Sequence, residues 1–268
     1  MGEALQYWVV IPAAGTSQRM GASIPKQYLP LADLTVIEHS LSNFLKHPKI
    51  SGVVVALHQE DKHWENLALH NNKIQTVIGG ASRTESVLHA ISYLNTTSAN
   101  DQDFVLVHDA ARPCLRNTDL NLLIQQLEDD DVGGLLAAPV TDTLKMVDKK
   151  ISSEKNPSSK TGLGKPESDL PGSGQAGSDQ RMSVNTVVKT LDRDRIWRAF
   201  TPQMFRLAVL TQALRHCSKL GVDVTDEASA VEQLGLQVRL VKGQSDNIKI
   251  THAVDLELAA GILKKIKR

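Results

Sequence analysis

Only two cysteines occur in the 268 residues, Cys114 and Cys217, about a hundred positions apart. That separation is no metal-ligand pattern, and so sparse a pair suits a reducing compartment, where both thiols serve as small buried hydrophobes. Excess charge of one sign is missing too. Thirty Lys and Arg balance thirty Asp and Glu, so no global field draws nucleic acid or an anionic membrane, and any basic site must be local. No apolar run approaches the length of a membrane span. Neither a signal-type apolar run nor an Arg/Ser-rich transit segment precedes the first strand, which predicts a cytoplasmic protein. There is no G-x-G-x-x-G spacing after that strand, and no Ser–His–Asp set or acid/base pair stands out. What remains is ordinary globular composition, in a chain long enough for one large α/β domain over 1–268.

Short apolar runs alternate with amphipathic stretches. Tyr7–Ile11, Gly52–Leu57, Ile74–Ile78, Phe104–His108 and Gly134–Ala138 read as strands. Between them Ile37, Leu41, Phe44 and Leu45 recur at helical spacing, as do Val87, Leu88, Ile91 and Leu94, and Leu120, Leu123, Ile124 and Leu127. This alternation predicts an α/β fold with a mostly parallel sheet and helices on both faces. Ligands of such sheets collect at the carboxyl ends of the strands. From Ile151 to about Ser183 the chain is rich in Gly, Ser and Pro and has no aromatic residue. That composition predicts a flexible insertion at the tip of a β-arm spanning 143–191. Further helices are expected near Arg206–Leu220 and Asp226–Leu234, a strand at Gln237–Lys242, and a terminal helix from Ala253. The acidic run Glu128–Asp131 reads as a surface helix end.

The most informative stretch is the loop Pro12-Ala-Ala-Gly-Thr-Ser-Gln-Arg-Met-Gly-Ala-Ser-Ile-Pro-Lys26. Its small residues free backbone N–H groups, and the cations Arg19 and Lys26 sit within it. Amides plus cations after a strand are what polyphosphate binding requires; a plain strand-to-helix turn is the alternative. Past the third strand, Gly79-Gly80 leads into Ser82 or Thr84 as a helix cap, with Gly80 open to a planar ligand and Ser86 offering a hydroxyl. After the fourth strand, Asp109 can hold a divalent cation together with substrate phosphates, while Arg112 either meets a phosphate or pairs with Asp109. His108 reads as a packed core residue. Thr225 is placed to cap a helix through Ala228, and Lys249 returns a cation towards the sheet end.

Taken together these stretches resemble the 2-C-methyl-D-erythritol 4-phosphate cytidylyltransferases of the non-mevalonate isoprenoid pathway. The resemblance rests on Pro12-Ala-Ala-Gly15 with Arg19-Met20, Pro25-Lys-Gln-Tyr28, Gly79-Gly80, Val107-His-Asp-Ala-Ala-Arg-Pro113, Ala138-Pro-Val with Asp142-Thr143, Thr201-Pro-Gln203, Thr225-Asp-Glu-Ala-Ser229 and Asp246-Asn-Ile-Lys249. It implies a homodimeric nucleotidyltransferase of the Rossmann-like sugar-nucleotide type that uses CTP and Mg²⁺. By position, Arg19, Lys26 and Lys249 are then catalytic. Pro12, Ala13, Ala14, Gly15, Gly80, Ser86, Asp109 and Ala110 bind the nucleotide, with Asp109 also at the metal. Arg112, Thr143, Arg193, Thr201 and Thr225 bind the methylerythritol phosphate, Arg193 reaching the partner's site on the arm. Two positions depart from the family pattern: Ser17 stands where a second loop glycine is usual, and Ala81 where an Asp is common.

The chemistry suits such a set. The acceptor phosphate is already anionic, so no strong base is needed; the requirement is to screen two polyanions and to stabilise charge at the α-phosphorus. A cytidylyltransferase for another polyol phosphate, such as ribitol 5-phosphate, and a non-catalytic nucleotide-binding module are the alternatives.

Overall fold

The apolar runs become the centre of a seven-stranded sheet. The computed structural model describes residues 5–15, 24–97, 99–148 and 186–266. Along the chain come β1 (Tyr7–Pro12), the short hairpin β2 (Pro30–Leu31) and β3 (Leu34–Thr35), α1 (Val36–Lys46), β4 (Ile50–Leu57), β5 (Ile74–Ile78), α2 (Arg83–Leu94), β6 (Phe104–Val107), α3 (Asn117–Leu127) and β7 (Gly133–Pro139). Then follow β8 (Lys145–Val147), β9 (Val187–Thr190), β10 (Trp197–Arg206), α4 (Leu207–Leu220), α5 (Glu227–Glu232), β11 (Arg239–Lys242) and α6 (Val254–Ile266). Contacts divide the chain into two units, one of residues 1–138 with 197–268 and one of residues 139–196.

In the first unit the sheet order is β11-β7-β10-β6-β1-β4-β5. β1 runs parallel to β4 and β6, β4 to β5, and β7 to β11. The exception is β10, which pairs antiparallel with β6, Gln203 opposite Val107 and Phe205 opposite Val105. Sequence reading places no strand there, because Thr201-Pro-Gln203 puts a proline, which cannot donate to a ladder, into what is a central strand.

Alternate residues of each buried strand serve opposite faces, as a period of two requires. Val9, Ile11, Leu106 and Met204 meet Ile37, Leu41 and Phe44 of α1 and Leu120 and Leu123 of α3. Val10, Val54, Val105 and Phe205 meet Val87 and Ile91 of α2, Leu210 and Leu214 of α4, and Val231 of α5. Each such large apolar side chain, taken fully out of water, contributes about 1.5–3 kcal/mol.

Local chemistry sets the ends of the elements. Ser82 caps α2, accepting from the Glu85 N–H at 3.1 Å, and the Glu85 carboxylate returns to the Ser82 N–H. α5 is capped by Asp226, which accepts from the Ser229 N–H at 2.9 Å. The expectation that Thr225 is the cap is therefore one residue early: a carboxylate is the better acceptor at a helix N-terminus. Within the acidic run, Asp130 accepts from the N–H groups of Val132 and Gly133 and pairs with Arg239. It shapes the turn into β7 rather than merely coating the surface. Gly133 has φ +123°, and a Cβ there would lie 2.1 Å from the Met204 carbonyl oxygen, so only glycine fits.

The second unit holds β8 and β9, paired antiparallel with Lys145 opposite Thr190 and Met146 opposite Lys189. Lys145 Nζ donates to Thr190 Oγ1 at 2.7 Å. Both strands fall within the arm expected over 143–191. The expected insertion 151–183 lies outside the described residues, as do Arg19 and Ser17.

Candidate nucleotide site

A cavity of about 700 Å³ opens at the carboxyl ends of β1, β5 and β6. Pro12, Ala13, Ala14 and Gly15 form one wall, Gly80 and Ser86 another, and Asp109 and Ala110 the floor, with Lys26 and Lys249 also lining it. Every expected nucleotide-binding residue thus meets at one place, together with two of the three expected catalytic cations.

The first wall is held by a residue that sequence reading passed over. Gln27 is buried, and its amide donates to the carbonyls of Ala13 at 2.9 Å and Gly15 at 3.3 Å. The loop start is therefore pinned to the short 3₁₀ turn Lys26–Tyr28 that carries Lys26. On the second wall, the Gly80 N–H donates to Ser86 Oγ at 3.1 Å, and that hydroxyl donates to the Ser82 carbonyl at 2.9 Å. A Cβ on Gly80 would lie 2.3 Å from Glu85 Cβ. The close approach that demands glycine is thus to the first turn of α2.

Asp109 is the electrostatic centre. Only 7% exposed, it faces three cations: Arg83 Nε at 3.2 Å from Oδ1, Arg112 Nε at 3.2 Å from Oδ2, and Lys249 Nζ at 3.0 Å from Oδ2. Burial alone raises a carboxyl pKa, but Arg83, Lys249 and Arg112 outweigh it and hold Asp109 well below the usual carboxylate range. The internal pair Asp109–Arg112 read from the sequence as one alternative is present, and Arg112 also donates to the Asn247 carbonyl at 2.8 Å. Arg83 is a second residue that sequence reading missed. Its two terminal nitrogens grip both oxygens of Glu227 at 2.6 and 2.9 Å. One weak signal was available: Arg83 is the first residue of α2, where the helix dipole disfavours a cation and a nearby carboxylate offsets that cost.

Beneath Asp109, its own N–H donates to Thr201 Oγ1 at 3.0 Å. His108 Nε2 lies 3.0 Å from the Arg112 carbonyl, which can only accept. Nε2 therefore carries the proton, Nδ1 accepts, and Thr201 donates to it at 3.1 Å. Burial pushes the His108 pKa down to about 4, the behaviour of a packed neutral ring. Thr201 is buried in this chain of bonds, whereas Thr225 is exposed. Thr143 and Arg193 belong to the second unit, both exposed, with Arg193 donating to the Thr141 carbonyl at 2.7 Å. Burial pushes the Cys114 thiol up to about 12, so it is an inert core residue. Among the described residues no three His, Cys, Asp or Glu side chains gather as a metal cage, and no helix is long and apolar enough to cross a membrane.

A family model described as 2-C-methyl-D-erythritol 4-phosphate cytidylyltransferase matches residues 7–160 and 178–265, its break falling inside the Gly/Ser/Pro-rich run. The chain is 47% identical over 252 residues to the protein of that name from Pseudomonas syringae pv. tomato, covering 94% of this chain and 92% of the relative. It is 46% identical over 252 residues to the one from Pseudomonas fluorescens, covering 94% and 93%. A crystal structure of a 4-diphosphocytidyl-2C-methyl-D-erythritol synthase superposes with a TM-score of 0.74 at 30% identity, over 97% of this chain and 99% of that one. The 2-C-methyl-D-erythritol 4-phosphate cytidylyltransferase of Francisella tularensis does so with 0.72 at 32% identity, over 96% and 99%. With a family model across most of its length, and a cavity assembled from the residues that carried the resemblance, the chain belongs to the 2-C-methyl-D-erythritol 4-phosphate cytidylyltransferase family.

Proposed function

We propose that this cavity holds CTP and joins its CMP to 2-C-methyl-D-erythritol 4-phosphate, releasing pyrophosphate. The observation that carries the reading is the meeting of Lys26, Lys249 and Asp109 with the loop Pro12–Gly15 at the carboxyl ends of neighbouring strands. The base and ribose lie between Ala13, Ala14, Gly80 and Ser86, and the triphosphate lies against Gly15 and Lys26. Arg19, outside the described residues, is assigned the same role as Lys26 by the family resemblance alone.

The acceptor phosphate attacks the α-phosphorus, and pyrophosphate leaves in line with it. The attacking oxygen is ionised at neutral pH, so the protein supplies position and positive charge rather than a base. Lys249, paired with Asp109 before substrate arrives, has its side chain 42% exposed and swings towards the reacting phosphates as their charge enters. Lys26 offsets charge developing on the α-phosphoryl group.

The donor set suits Mg²⁺ that is held mainly by substrate. Asp109 supplies a single ionised carboxylate at a strand end, and Mg²⁺ is commonly bound by one or two carboxylates plus phosphate oxygens and water. When bound, the ion neutralises phosphate charge and fixes the triphosphate's shape.

Thr225, Thr143 and Arg193 are the acceptor residues in this reading, with Arg112 and Thr201 supporting them at Asp109. Arg193 serves the cavity of a second copy in a homodimer formed through the β-arm 143–191. Exposed Met146, Val147, Val187 and Val188 on β8 and β9 support that contact, since exposed apolar clusters on an arm mark an interface. A cytoplasmic location accords with the reduced cysteines.

The test is a panel of polyol phosphates with CTP and Mg²⁺, scored by pyrophosphate release. Methylerythritol phosphate should be turned over well ahead of ribitol 5-phosphate; the reverse order would replace the acceptor. Thermal stabilisation by CTP–Mg²⁺ without turnover of any acceptor would leave only a nucleotide-binding module.

A further inference from the structure

We infer that Glu227 is a positioning residue for the reaction, acting through Arg83 to keep the Asp109 carboxylate available to the cavity. Glu227 is only 1% exposed and does not line the cavity. It is the first residue of α5, two positions after Thr225. Both its oxygens are taken by the end of the Arg83 guanidinium, at 2.6 and 2.9 Å. Arg83 therefore has only its Nε–H engaged with Asp109, at one oxygen, Oδ1. The other oxygen, Oδ2, is left to Arg112 and Lys249.

The consequence follows from guanidinium geometry. A free arginine beside a carboxylate closes on it with two parallel N–H bonds, the strongest arrangement open to the pair. Without Glu227, the Arg83 fork would turn onto Asp109, engage both oxygens and compete with Lys249 and any cation there. By holding the fork, Glu227 limits Arg83 to a single steering contact. It is itself fixed: Gln203 accepts from the Ala228 N–H at 2.8 Å and donates to Asp226 at 2.8 Å. The start of α5, and with it the turn carrying Thr225, is thereby tied to the orientation of Asp109.

The inference rests on Asp109 serving the nucleotide, as proposed above, and its test separates the two. In Glu227→Gln, which keeps size and one acceptor, kcat should fall about 10- to 100-fold, the usual effect of losing a group that orients a ligating residue, with the KM for CTP changing far less. Arg83→Lys removes the fork, so adding Glu227→Gln to it should cost nothing further. A crystal structure of Glu227→Gln, a readout independent of activity, should show Arg83 paired through two nitrogens with Asp109. Additive losses in the double variant, kcat within threefold of wild type in Glu227→Gln, or Arg83 unmoved in its crystal structure would each overturn the inference. An inactive wild-type protein would instead overturn the proposed reaction, leaving the crystal structure to judge the bridge.

Discussion

The hydroxyl of Thr201 donates to Nδ1 of His108 across 93 residues of chain and at the same time accepts from the backbone N–H of Asp109. One small side chain on the antiparallel strand thus satisfies two buried groups under the pivotal carboxylate. Thr201→Val, equal in shape, orphans both. Burying an unpaired polar group costs about 1–3 kcal/mol, so with two of them urea unfolding should show a loss of roughly 2–6 kcal/mol. A loss below 0.5 kcal/mol, by order of magnitude the effect of a neutral surface change, would contradict the bonding scheme.

His108 makes stability depend on pH. Its folded-state pKa is about 4, against 6.5 for an ordinary histidine. Because the folded value is the lower one, the unfolded chain takes up the proton first. Stability is therefore complete above about pH 6.5 and drains away as pH falls towards 4, by about 3 kcal/mol over the window. Denaturant midpoints at pH 7 and pH 5 would reveal the slope, and the His108 ring resonance should hold its neutral position at both. Protonation of that ring in the folded protein at pH 6 would refute the assignment.

Lys26→Ala should lower turnover by roughly two to three orders of magnitude, the size expected when one preorganised charge at the transition state is removed. Steady-state kinetics with saturating CTP separates this from a binding defect. Unchanged kcat with a raised KM would reassign Lys26 to ground-state binding.

Arg193 is expected to act on a second copy. An Arg193→Ala chain mixed with a Lys26→Ala chain then forms dimers with one intact composite site, restoring about one quarter to one half of wild-type site activity. Both parents alone should be nearly inactive. No recovery on mixing would place Arg193 in its own subunit's site.

Much of this was legible along the chain. Buried parallel strands are continuous apolar runs, so β1, β4, β6 and β7 announced themselves; β5, an edge strand with no buried residue, showed only through Ile74, Val77 and Ile78. The small residues and cations after these strands marked the cavity. What stayed hidden has a common cause. β10 carries Pro202, which reads as a loop; Gln27 looks like one polar residue among several; Arg83 and Glu227 lie 144 positions apart.

The local signals, hydrophobic period and loop chemistry, determined the parallel strands, their helices and the residues that line the cavity, because each depends on neighbours within a few residues. Tertiary structure alone decided how Asp109 is held. Its burial among Arg83, Arg112 and Lys249, the Thr201 hydroxyl that accepts its N–H, and the Glu227 carboxylate that holds the Arg83 fork exist together only once a central antiparallel strand and a distant short helix have been packed beneath it. A buried charge takes its partners from whatever the fold brings within hydrogen-bond distance, and separation along the chain does not say which those will be.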